Sequence, residues 1–121
     1  MSEGRFCNTV TFTAAEDLGD RVPVKAGSSA GTVVAAGANE ESFGITVENA
    51  EEGQGVSVAL PGGEVEITLA SSVAFLKKLK IANTDGEFNQ ASATGQNVGA
   101  ISLEAGAAGD IIKALVAREK Y

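Results

Sequence analysis

At 121 residues the chain is long enough to bury one core without a metal or disulfide staple. Its net charge is −7, with nine Lys and Arg scattered among sixteen Asp and Glu, which argues against nucleic acid as a partner. It has no His, and its single cysteine, Cys7, excludes an intramolecular disulfide.

The opening Met-Ser-Glu-Gly-Arg-Phe-Cys lacks the apolar core of a secretory signal, and no apolar run is long enough to span a bilayer. A protein made and folded in a cytoplasm, with no membrane partner, is expected. Ala, Val, Gly and Thr dominate and aromatics are only 5%, a composition that suits β-layers better than a helical bundle.

Residues 1–20 read as an N-terminal arm, partly extended, before a single β domain over 21–121. Within the arm, Thr9-Val10-Thr11-Phe12-Thr13 alternates strictly and places Val10 and Phe12 on one face. Such an end either frays or docks on a neighbour, because an exposed Val/Phe strand invites association. Removal of residues 1–13 is therefore expected to weaken binding or oligomerisation and to leave the fold intact.

Val22-Pro23-Val24-Lys25 is a short strand that Pro23 marks as an edge or a start. After a small, polar loop, residues 31–37 form a buried-type strand between glycines, and Asn39-Glu40-Glu41 turns the chain. Phe43 to Leu60 then reads as two strands joined by an acidic, glycine-bearing turn. Pro61-Gly62-Gly63 breaks the chain before Glu64-Val65-Glu66-Ile67-Thr68-Leu69, a half-exposed strand with Val65, Ile67 and Leu69 inward.

Ser71 to Leu79 is the one helical candidate. Ser71 or Ser72 caps it, and Val73, Phe75, Leu76 and Leu79 have roughly helical spacing, so a short helix is expected near residues 71–77. Leu79 and Ile81 resume a strand, Asn83-Thr84-Asp85-Gly86 is a turn, and Glu87-Phe88 opens the next strand.

Val98 to Leu115 repeats the pattern of Phe43 to Leu60, with Gly44 matched to Gly99 and Gly53 to Gly109 across one inserted residue. The expected fold is all-β: a small sandwich or barrel of about ten short strands, in two related halves, with one short helix.

Catalytic chemistry is not legible. Without His, neither a Ser-His-Asp nor a Cys-His arrangement can be assembled, and Cys7 has only Arg5 beside it as an activating group. The carboxylates sit as turn pairs, Glu40-Glu41 and Glu51-Glu52, or on the solvent side of a strand, Glu64 and Glu66. Asp17 with Asp20 is too sparse for a calcium loop, and Gly62-Gly63 leads into a strand instead of a helix that would cradle phosphate. Lys77, Lys78 and Lys80 are too few for a basic groove. No enzyme activity, cofactor or metal is expected.

Three features together resemble one known family: the strand ending Val33-Val34-Ala35-Ala36-Gly37; the segments Phe43-Gly44-Ile45-Thr46 and Val98-Gly99-Ala100-Ile101-Ser102-Leu103-Glu104, each followed by an Ala/Gly turn; and a strand-turn-strand carrying Asp85-Gly86. This pattern, over about residues 20–117, resembles the capsid decoration (head cement) proteins of tailed bacteriophages. Lys77-Lys78-Leu79-Lys80 stands where that family often has a glycine-aspartate pair.

The resemblance implies a structural virion protein on the outer capsid surface, made in the host cytoplasm. It would bind major capsid protein, often as a homotrimer, and clamp neighbouring subunits. Candidate capsid or protomer contacts are Phe6, Val10 and Phe12 in the arm and Pro61, Gly62 and Gly63 at the break. Two other readings stay open. A β-sandwich glycan-binding module would need an aromatic or acidic cleft. A lipoyl- or biotinyl-type carrier would need a modifiable Lys at a hairpin tip, and neither Pro61-Gly62-Gly63 nor Asp85-Gly86 has one.

Overall fold

The computed structural model describes residues 9–121. Ten strands follow in order: β1 (Thr9–Ala14), β2 (Pro23–Ala26), β3 (Thr32–Ala35), β4 (Gly44–Thr46), β5 (Gly55–Ala59), β6 (Glu64–Thr68), β7 (Lys78–Ile81), β8 (Phe88–Gln90), β9 (Asn97–Ser102) and β10 (Ile111–Lys120). The first five close into a barrel ordered β1-β3-β2-β4-β5, and the last five form a sheet ordered β6-β10-β9-β7-β8.

The two halves are one unit built twice. In the first, β1 runs antiparallel to β5 and parallel to β3, with Ala14 opposite Val33. In the second, β6 runs antiparallel to β10, and a parallel bridge joins Leu69 to Phe88. The irregular backbone is copied as faithfully. Leu18 bridges Ala50 as Val73 bridges Gly106, and Arg21 and Leu76 both take a left-handed φ, 58° and 57°. Glu48 accepts from the Ser57 N–H as Glu104 does from the Lys113 N–H. Thr46 and Ser102, both buried, each donate a hydroxyl to a backbone carbonyl (Gly19 and Ala74) and accept a backbone N–H (Val22 and Lys77).

These pairs extend the repeat well beyond the hairpins visible in the sequence. They also move its one-residue insertion. The copied hydrogen bonds match Gly44 to Ala100, so the extra residue lies in the β8–β9 connection (92–99 against 37–43) and not within the hairpin.

The expected helix near residues 71–77 is absent; none of the described residues is helical. This stretch is the second copy of the bend after β1. Val73 exchanges both backbone bonds with Gly106, Leu76 donates to the Ser102 carbonyl, and Lys77 donates to Ser102 Oγ. Those long-range bonds take the N–H groups a helix would use, and short amphipathic spacing is too weak to compete.

Of the arm read over residues 1–20, the part from Thr9 onward belongs to the first barrel. β1 pairs with β5 at five successive positions, from Thr9 opposite Ala59 to Thr13 opposite Gly55. Deleting residues 1–13 therefore removes a barrel strand. That pairing argues against the expectation that the fold survives the deletion.

The first barrel encloses Ala14, Leu18, Val24, Val33, Val56 and Val58. The larger core belongs mainly to the second half, with Ile67, Leu69, Leu79, Ile81 and Phe88 at its centre, and the first half contributes Ala36, Ile45 and Ala59 to it. A hydrophobic seam thus joins the halves, and burial of a large side chain such as Ile45 in it is worth roughly 1.5–3 kcal/mol.

Candidate functional site

Two regions hold the candidate contact residues. Phe6 lies outside the described residues, as does Cys7. On β1, Val10 is 42% exposed, whereas Phe12 is half-buried and meets Phe43 edge-on, ring centres 5.4 Å apart. Phe12 and Phe43 line a shallow hollow of about 280 Å³ with Ala26, Val33 and the 27–32 turn. Sequence alternation placed Val10 and Phe12 on one face. It could not show that β3 and the 27–32 turn rise beside them.

Pro61, Gly62 and Gly63 form the link between the halves. Gly62, at φ 95°, donates to the Val116 carbonyl, and Val116 donates back to Gly63. Pro61 and Gly62 are exposed and Gly63 is buried. The break is thus a stitched turn against β10, two residues beyond Ala59, which pairs with Thr9 at the start of β1.

The loop after β3 holds the polar part of the seam. Asn39 donates its backbone N–H to Ile81, and its carbonyl accepts from Asn97 Nδ2. Glu41 pairs with Arg118 across the halves at 2.9 Å. That hydrogen bond, and then the guanidinium charge, hold the Glu41 carboxyl below its ordinary range. Glu40 is lowered as well, chiefly by the Gly37 N–H and then by Lys25, which it meets at 2.9 Å. Both acids are exposed, so these shifts mark fixed geometry more than stored energy.

Of the remaining acids, Asp17 and Glu51 line an open hollow of about 570 Å³ with Asn49 and Gln54. Asp17 accepts from the Glu52 N–H, and Gln54 from the Glu51 N–H, so these side chains are used in closing turns. Among the described residues no three His, Cys, Asp or Glu side chains gather as a metal site would need.

Sequence reasoning missed a further exposed apolar pair. Phe75 and Leu76 are 59% and 56% exposed in the bend where a helix was expected, and their counterparts in the first half are the ion pair Asp20–Arg21. Comparing the two copies would have found it, had the repeat been traced that far.

The architecture is a tandem pair of five-stranded β units. No protein-family model matches the chain, and no curated protein sequence matches it. Its fold is similar to the crystal structure of the head fiber gp8.5 N base of bacteriophage phi29, with a TM-score of 0.70 over 93% of this chain and 96% of that one. The two are 14% identical, so the likeness is one of fold.

Proposed function

We propose that this chain is a structural protein of a bacteriophage virion that binds the outer surface of the assembled head. It acts as a homotrimer that braces neighbouring major capsid subunits. The observation that carries the reading is whole-chain likeness to the base of a phage head fiber, which covers both halves of the duplication. The short motifs resembling decoration proteins point the same way from the sequence side.

The physics of the fold is compatible with such work. A barrel and a five-stranded sheet fused through one buried seam make a rigid block, and many modest contacts repeated over a shell stabilise it by multivalency. Val10 and Phe12 on β1, and the 61–63 turn, are the contact elements offered to capsid subunits or sister protomers.

The test mixes purified protein with undecorated expanded heads. Added density at fixed lattice positions, together with heads that survive heat or chelation longer, is the expected result. Heads that neither gain density nor co-sediment the protein would refute the reading.

A further inference from the structure

Because the fold is duplicated, each surface of one half has a counterpart in the other, and the two can be compared as built-in controls. In the first half, Pro23, Ile45 and Ala59 lie side by side across β2, β4 and β5, on the opposite face from the barrel interior. All three are buried. Ile45 and Ala59 join the core of the second half, and a Cβ on Gly86 would come within 2.9 Å of the Pro23 ring. This row is a knob.

Its Ile45 and Ala59 fall in one cluster with Val65, Ile67, Ile81 and Phe88, and each of these four is at most 6% exposed. That group is the mouth that receives the knob.

The matching parts have no such cover within the single copy and are more exposed. The counterpart of the knob is Lys78, Ile101 and Leu115, aligned in the same way across β7, β9 and β10. There Lys78 is exposed, and Ile101 and Leu115 are half-buried. The counterpart of the mouth is Val10, Phe12, Ala26 and Val33. Val10 and Ala26 are exposed, Phe12 is half-buried against the barrel core, Val33 is buried within it, and the hollow of about 280 Å³ lies among Phe12, Ala26, Val33 and Phe43.

The contact between the halves is therefore heterologous: a knob meets a mouth, and neither meets its own kind. An interface of that type leaves one unused partner at each end, and repetition between copies closes a ring or propagates a chain.

We infer that copies of this protein associate head to tail, the Ile101–Leu115 row of one seating in the Val10–Phe12 mouth of the next. The occupant is a second copy because the molecule already shows the same pairing between its own halves. The inference deepens the oligomeric part of the proposed function. It assigns Val10 and Phe12 to the protomer contact and leaves capsid binding to other surfaces.

Two single variants test it on the full chain. Val10→Glu places a carboxylate on β1 beside the hollow, two residues from Phe12, and Leu115→Glu places one on the row. Both positions are open enough in the single copy for it to keep its fold, which circular dichroism and the thermal midpoint check. Analytical ultracentrifugation is expected to show the wild type associating and each variant monomeric, with self-association weakened by about 100-fold or more, as burial of an unpaired charge requires.

The decisive measurement is the mixture. Each variant spoils one side only, so equal amounts of the two should form one-to-one dimers and nothing larger. Variants that stay monomeric when mixed, or a wild type that is monomeric at every concentration, would overturn the proposal. So would a mouth filled by the chain's own residues 1–8, seen as protection of Val10 that their removal abolishes. A monomeric wild type that still decorates heads, with Val10→Glu abolishing it, would reassign the mouth to the capsid. That would sink this inference while the virion role stands.

Discussion

Ile45 and Ile101 are the same residue at the same place in the two copies, opposite Ala59 and Leu115 respectively. Ile45 is 0% exposed because the second half covers it, whereas Ile101 packs against the small Ala91, Val98 and Ala117 cluster and stays half-buried. Truncating each to Ala removes the same atoms from the same strand position, so the difference in cost measures the seam.

For a fully buried Ile, lost transfer energy and the cavity left behind together cost about 2–5 kcal/mol. A half-buried one loses about half of the roughly 1.5–3 kcal/mol available from burial, with little cavity. Ile45→Ala should therefore destabilise by about 3 kcal/mol and Ile101→Ala by about 1 kcal/mol. Urea unfolding at low micromolar protein reads both, with unchanged m-values confirming a comparable transition. Measured in the Val10→Glu background, where no second copy covers Ile101, equal costs or a larger one at Ile101 would mean that the second half does not bury Ile45, and the seam would be refuted.

Three further outcomes follow from the same duplication. Gly31 and Gly86 share a left-handed φ of 79° and 81°, but a Cβ meets nothing at the first and the Pro23 ring at the second. Gly31→Ala should cost about 1–2 kcal/mol for the backbone alone and Gly86→Ala about 2–4 kcal/mol, read by denaturant midpoints.

The Glu41 carboxyl is lowered by Arg118, so the stability it adds is complete above its unfolded value near 4.5 and is lost as pH falls through the lower folded value. Glu41→Gln should flatten that part of the acid profile, and an unchanged profile would show the pair absent in solution. Deleting residues 1–13 removes β1 from between β3 and β5, and methyl signals of Val24 and Val56 should collapse in NMR spectra. A folded first barrel after truncation would contradict the pairing.

Alternation along Glu64–Leu69 and the hairpin flanking Gly53 were legible because period-two burial depends on neighbours in the chain. The all-β class, the turn at Asp85-Gly86 and the relation between 43–60 and 98–115 rested on the same local signals. The bend at 71–77 was misread for the converse reason. Its conformation is set by Gly106 and Ser102, some thirty residues away, and only the positive φ at Leu76 and the bridge from Val73 reveal it.

What the sequence determined by itself was the supply of strands, turns and inward faces, together with the lack of His. Tertiary structure alone decided which outward rows are covered. Ile45 and Ile101 are identical as letters, and the packing of one half on the other makes the first core and leaves the second half open. Pairwise burial of that kind depends on where distant segments meet, and no local periodicity encodes it.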